Sequence, residues 1–84
     1  MSDLEFDVLD ELYFVSSFSE LKKSTEMDDE DLKPTLIKIH SKGWLRCFDS
    51  PTDEIEPDTV DLEVQYRKYY YLASKDGLKA HNNN

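Results

Sequence analysis

The side chains with the greatest chemical capacity in this sequence are carboxylates gathered in two segments. Residues 26–31 hold five acids and residues 49–63 hold seven, together 12 of the 19 acids in a chain of net charge −9. Carboxylates at this density can ligate a hard cation, face a basic partner, or cap a helix and keep a loop in water. The second segment lacks the glycine and the ligand spacing of an EF-hand loop, so the sequence does not predict a calcium site.

Catalytic chemistry has little support in the sequence. His40 and His81 are the two histidines and lie far apart, and Cys47 is the single thiol. The sequence has neither a Ser, His and Asp arrangement nor a glycine-rich phosphate loop. We therefore predict a protein that is not an enzyme and that uses no cofactor or metal.

Length and composition set the domain organisation. The 84 residues contain no repeat or linker and suffice for one modest core. We expect a single domain over residues 1–81 and a polar tail over residues 82–84. No apolar run approaches the ~20 residues that span a bilayer, and the N-terminus has no basic and apolar leader. Since one cysteine cannot form an internal disulfide, these features predict a cytoplasmic protein without membrane contact.

Serine caps predict two helices at the start of the chain. Ser2 begins a capping box for a first helix over residues 3–15. A second cap, at Ser17 or Ser19, predicts a short helix that runs to about Thr25.

A longer third helix follows. Asp28 is a good N-cap, and Gly43 can adopt the left-handed conformation that ends a helix. Three apolar residues recur on one face at helical spacing: Leu32, Leu36 and Ile39. The spacing predicts an amphipathic helix packed on a core.

The second half of the chain has strand character around an acidic loop. Residues 44–48 have strand composition, whereas residues 49–59 carry prolines and acids and are predicted to be a solvated loop. Apolar and polar residues then alternate over residues 60–72, which predicts one long strand paired antiparallel with residues 44–48. Ser74 can cap a last weak turn.

The tyrosines near the end of this alternating run have two interpretations. Counting along the predicted strand turns Tyr66 and Tyr70 towards the helices and Tyr69 and Tyr71 towards the opposite face. The second pair would be exposed unless a partner covers it. Tyr69 and Tyr71 are therefore either packing residues or candidates for a protein interface.

Two stretches carry a resemblance to a known fold. FSELKKSTEMDDEDLKPTLIKIHSKGWLRC has the spacing of a short helix, a turn, a longer helix and a strand, and YYYLASKDGLKAH looks like a closing strand with its tyrosine, leucine and glycine. Together they resemble the winged helix-turn-helix domain of small bacterial transcriptional regulators of the PadR and MarR families. The resemblance implies an α+β fold with three helices and a two- to three-stranded antiparallel wing sheet. Two departures are Glu26, where the turn often has glycine, and Ala73, where threonine is usual.

The same resemblance implies a contact surface. In these families, side chains early in the third helix enter the DNA major groove and basic groups contact phosphates. The corresponding residues here, which would contact DNA or another partner, are Asp28, Asp29, Glu30, Asp31, Lys33, Pro34 and Lys38. Acids opposed to phosphates cost affinity, so the charge argues against direct duplex binding.

Basic residues supply the opposing argument. Five lysines of the second and third helices form either a soluble face or a nucleic-acid patch: Lys22, Lys23, Lys33, Lys38 and Lys42.

Two function classes follow from these arguments. One is a regulator-type module whose partner is double-stranded DNA. The other is a module that binds a basic protein or mimics the charge of DNA. The sequence indicates no small-molecule site. An oligomer is compatible with the sequence, but not through the long C-terminal helix that pairs many relatives of this fold.

Overall fold

The computed structural model describes residues 1–83, and these form five α-helices and one four-stranded antiparallel sheet. In chain order the elements are α1 (Asp3–Asp10), β1 (Ser16–Ser17), α2 (Phe18–Thr25), α3 (Asp29–Ser41), β2 (Leu45–Ser50), β3 (Asp53–Glu54), a 3-10 turn (Pro57–Thr59), α4 (Leu62–Gln65), β4 (Tyr70–Ala73) and α5 (Lys75–Asn82). The mixed α+β class predicted from the sequence is confirmed, although there are five helices instead of the three predicted and the sheet has four strands instead of two or three. Among residues 1–83, no helix combines the length and the apolar character that crossing a membrane requires.

The predicted helix starts are correct. Ser2 and Ser17 each form a complete capping box at the start of α1 and α2, and the Asp28 side chain accepts from a backbone N–H in the first turn of α3. Ser74 caps α5 in the same way. Each of these caps is a bond between residues three apart, so its signal can be recognised in the sequence. At the other end of α3, Gly43 has φ 77°, the left-handed conformation predicted for it.

The first helix is shorter than predicted because the residues after it pair with a strand from the other end of the chain. The helix α1 ends at Asp10, not at residue 15. The Leu12 carbonyl accepts a hydrogen bond from the Ala73 N–H at 2.9 Å, and Ser16 pairs with Tyr71 in the sheet. These long-range bonds hold the chain after Leu12 alongside β4, which ends the helical run.

The long strand predicted over residues 60–72 is wrong for most of its length. Only Tyr70–Ala73 form a strand, which pairs antiparallel with β2 in the register Leu45 to Ala73. Residues 62–65 form α4 instead, capped by the side chain of Asp61. Because a side-chain cap competes with strand pairing, alternation in this stretch does not report a strand.

The acidic loop predicted over residues 49–59 is also partly ordered into the sheet. The strand β2 continues to Ser50, a tight turn follows, and β3 returns beside it with an irregular register. The Ile55 N–H then donates to the Cys47 carbonyl at 2.9 Å. The sheet order is β1, β4, β2, β3, which places β3 at one edge.

One apolar core lies between the helices and the sheet. Its fully buried residues include Leu9, Leu12, Leu21, Leu32, Leu36, Ile39 and Tyr71. The predicted stripe on α3 therefore faces the core, as its spacing indicated.

Tyr69 and Tyr71 are buried, not exposed. Their exposed fractions are 7% and 0%, and their hydroxyls bond within the chain. The prediction assigned these two tyrosines to the wrong face of the strand. It counted alternate residues from position 60, but α4 interrupts the strand, and a slip of one residue exchanges the two faces. Neither ring is available as an exposed interface residue.

The weak last turn predicted after Ser74 is a regular helix. The helix α5 runs to Asn82, the first residue of the predicted polar tail, and docks on α1. The His81 ring stacks on Phe6 with 4.2 Å between ring centroids, and the Tyr13 hydroxyl reaches His81 Nδ1 and Asn82 Oδ1.

We expect Leu36→Ala to reduce the free energy of unfolding by ~2–5 kcal/mol, because the side chain is fully buried and its removal leaves a cavity. Chemical denaturation followed by circular dichroism measures this loss. Val64→Ala is the matched control, since 71% of Val64 is exposed. An unchanged unfolding midpoint for Leu36→Ala would mean that the stripe on α3 does not face the core.

Candidate functional site

A tight turn joins α2 to α3 and sets the exposed face of α3. Glu26 has φ 57°, the only positive φ outside glycine among residues 1–83. This left-handed conformation costs about 1 kcal/mol for a residue with a Cβ, which explains why glycine suits this position. Met27, the next residue, is buried and fixes the turn against the core.

Most of the predicted contact residues on α3 are exposed to solvent. Asp28, Glu30, Asp31, Pro34 and Lys38 are all exposed. The helix continues through Pro34 for its full 13 residues, although proline removes one backbone hydrogen bond. The structure therefore brings five of the seven predicted residues to one accessible surface.

Asp29, a sixth predicted residue, is held by partners within the chain. Its Oδ1 lies 2.8 Å from Lys22 Nζ on α2, and its Oδ2 accepts from Arg67 Nε at 2.9 Å and from the Tyr66 hydroxyl at 3.1 Å. The Lys22 and Arg67 contacts hold the pKa of Asp29 at about 2, below its usual 3.8. We call these four residues the Asp29 cluster; its internal bonds satisfy the Asp29 charge.

Lys33, the seventh predicted residue, is half-buried and paired. Its Nζ lies 3.5 Å from a carboxylate oxygen of Glu63 on α4 and 5.1 Å from the centre of the Tyr66 ring. Lys33 therefore links α3 to α4 and adds little free positive charge to the surface.

A further lysine of the predicted basic patch is also engaged. Lys42 Nζ lies 2.6 Å from Glu5 Oε2 and 4.7 Å from the centre of the Trp44 ring. Burial alone raises the pKa of Glu5, but hydrogen bonds from Lys42 and Ser2 outweigh it and hold the pKa at about 2. Sequence analysis did not predict this pair, because Lys42 lies 37 positions after Glu5.

Only two lysines of the predicted patch stay outside ion pairs within residues 1–83. These are Lys23 and Lys38, both exposed. Because Lys22, Lys33 and Lys42 each hold a carboxylate, the five lysines do not form one continuous positive surface.

The acidic segment, residues 49–63, adds exposed carboxylates beside the sheet. Glu54 pairs with Arg46 across β2 and β3 at 2.6 Å. Asp49, Asp53, Glu56 and Asp58 are exposed without a basic partner in the described part of the chain. Over residues 1–83, no group of three His, Cys, Asp or Glu side chains has an arrangement that could hold a metal ion.

The single thiol is buried and chemically inert. Cys47 is 2% exposed and lines a cavity of about 180 Å³ beneath the acidic segment. Burial, with a smaller effect of Glu54, raises the pKa of Cys47 to about 12. A thiol that stays protonated at neutral pH is a poor nucleophile.

A second cavity, of about 200 Å³, opens between α3 and the end of the acidic segment. Its lining residues are Ile37, His40, Val60, Asp61, Leu62 and Glu63. Sequence analysis missed this groove because its two walls lie at least 20 positions apart in the chain.

Comparison with protein-family models, curated proteins and solved structures finds no match to the chain. The function is therefore inferred from the geometry and charge of the chain itself.

We expect Asp29→Asn to lower the melting temperature at neutral pH, because it removes the charge that Lys22 and Arg67 bind. A depressed pKa stabilises the fold above the unfolded pKa, and that stabilisation is lost as pH falls from 3.8 towards 2. The difference in melting temperature between wild type and Asp29→Asn should therefore shrink over this range. Thermal unfolding at a series of pH values measures it.

Glu30→Gln is the control for this experiment, because Glu30 is the next acid in the same helical turn and has no ion pair among residues 1–83. The contribution of Glu5 is common to all three proteins and cancels. A constant difference between wild type and Asp29→Asn from neutral pH to pH 2 would show that the Asp29 cluster does not stabilise the fold through its charge.

Proposed function

We propose that the protein is a non-catalytic winged-helix module of the transcriptional-regulator type that contacts a basic protein surface instead of reading duplex DNA. The order of elements supports the first half of this proposal. A short turn joins α2 to α3, and β2, β3 and β4 follow, with β4 paired between β1 and β2. The order of α1, α2, α3, β2 and β4 agrees with the helix, helix, helix, strand, wing and strand that the resemblance to PadR- and MarR-type regulators implies, and β1, β3 and α4 are additional to it.

The charge on the exposed face of α3 is the observation that supports contact with a basic protein surface instead of duplex DNA. Glu30 and Asp31 are exposed in the first turn, where a reading helix of this kind meets DNA. Of the 12 acids in residues 26–31 and 49–63, only Asp29, Glu54 and Glu63 pair with a base inside the described chain. The remaining carboxylates face solvent or cap helices.

This arrangement disfavours duplex DNA and favours a basic partner. Non-specific affinity for DNA comes from basic groups that displace counterions from phosphates, and carboxylates at those positions oppose it. A net charge of −9 adds repulsion at long range. The same field attracts a basic protein and speeds its encounter.

Direct duplex binding is the second candidate function. Lys23 and Lys38 favour it, because both are exposed and outside ion pairs within residues 1–83. Two such lysines supply few phosphate contacts compared with the 6–10 typical of a strong DNA binder.

We expect replacement of both Glu30 and Asp31 by Lys to raise non-specific affinity for duplex DNA, because it removes repulsion and adds phosphate contacts. The slope of log affinity against log salt should steepen by about 2 if both new lysines reach phosphates. Fluorescence anisotropy of a labelled random-sequence duplex, between about 50 and about 200 mM salt, measures both effects.

The control replaces Asp3 and Asp7 by Lys, which changes net charge equally on the exposed face of α1. It should raise DNA affinity much less than the α3 variant. The proposal fails if the wild-type protein already binds a specific duplex sequence at physiological salt.

A further inference from the structure

We infer that the groove between α3 and residues 60–63 receives an aliphatic side chain from the basic partner, an assignment that rests on the proposed function. The groove combines apolar and acidic lining. Ile37, Val60 and Leu62 provide its apolar surface, and Asp61 and Glu63 provide carboxylates. This pattern fits an apolar anchor flanked by lysine or arginine.

The groove is smaller than a typical pocket for a drug-sized ligand and large enough for one apolar side chain. Its volume of about 200 Å³ is below the roughly 300 Å³ at which typical ligand pockets begin. A cavity of roughly 150 Å³ already admits benzene. The groove therefore accepts one side chain of leucine or isoleucine size.

An exposed valine extends the apolar surface beyond the groove. Val64 follows the lining residues directly and exposes 71% of its surface. It lies on α4, which the Lys33 to Glu63 pair ties to α3. A partner that filled the groove would cover Val64 at little further cost, because α4 is already held in place.

The charge around the groove selects the class of partner. Glu63 has 73% of its side chain exposed, and Glu56 and Asp58 are exposed nearby in sequence. A second copy of this chain would bring its own charge of −9 to the same acidic surface. Like charges facing each other disfavour such a dimer, whereas a lysine-rich segment is attracted.

The probe for this groove is a short amphipathic peptide with lysine and leucine at helical spacing, added to the isotope-labelled full chain. We expect saturable chemical-shift changes at Ile37, His40 and residues 60–64. The same peptide with serine for each leucine should bind roughly tenfold more weakly or worse, because burying a leucine side chain contributes about that factor. Equal affinity of the two peptides would overturn the inference.

Two variants with matched controls test the groove without disturbing the core. Glu63→Gln should weaken peptide binding several-fold at low salt and much less at high salt, whereas Glu11→Gln on the exposed end of α1 should not. Val64→Ser should also weaken binding several-fold. Its control is Phe14→Ser, because Phe14 is the most exposed large apolar residue, at 82%.

The outcomes separate the groove from the proposed function. Shifts confined to residues 28–31 or 49–58 would refute the groove and leave the basic partner in place. Weaker binding by Phe14→Ser with no effect of Val64→Ser would place the contact at the loop after α1 and refute the groove. Binding of random-sequence duplex, with none of either peptide, would refute both proposals.

Discussion

One carboxylate holds three segments of the chain together at the start of α3. Asp29 binds Lys22 from α2 and both Tyr66 and Arg67 from the stretch after α4. Its position in the first turn also suits the helix dipole. The Lys33 to Glu63 pair and the buried side chain of Leu62 also hold α4 on the helices, so the Asp29 cluster adds a charged contact to an interface that packing already forms.

Internal pairing changes the surface charge more than it changes stability. Exposed ion pairs each contribute only about 0–1 kcal/mol. Yet five basic side chains form ion pairs with carboxylates of the same chain: Lys22, Lys33, Lys42, Arg46 and Arg67. Half of the ten bases are therefore removed from the field that a partner meets. These five bases take up only four carboxylates, because Asp29 pairs with both Lys22 and Arg67. The acids outnumber the bases to begin with, so the outer surface is more uniformly acidic than the composition suggests.

Local capping signals predicted where the first three helices and the last helix start, but long-range contacts determine where the first helix ends. The caps at Ser2, Ser17 and Asp28 depend on residues three apart, so the sequence contains them in full. The end of α1 depends instead on the bond from Ala73 to Leu12, which joins residues at opposite ends of the chain. Alternation over residues 60–72 failed for a local reason instead: the Asp61 side chain caps α4, and the Asp61 N–H donates to the Tyr69 hydroxyl only eight positions away.

The candidate site was predictable as a list of exposed residues but not as a surface with a shape. Helical spacing placed Glu30 and Lys38 outside correctly, because the apolar stripe fixed the opposite face. Helical spacing did not show that the charged Asp29 side chain is paired, since its partner Arg67 lies 38 positions away. The groove has α4 as one of its walls, and two charged contacts hold this part of the chain on α3: the Lys33 to Glu63 pair and the Asp29 cluster. Neither of these ties could be predicted from the sequence, because each joins residues at least 30 positions apart whose contact exists only in the folded chain.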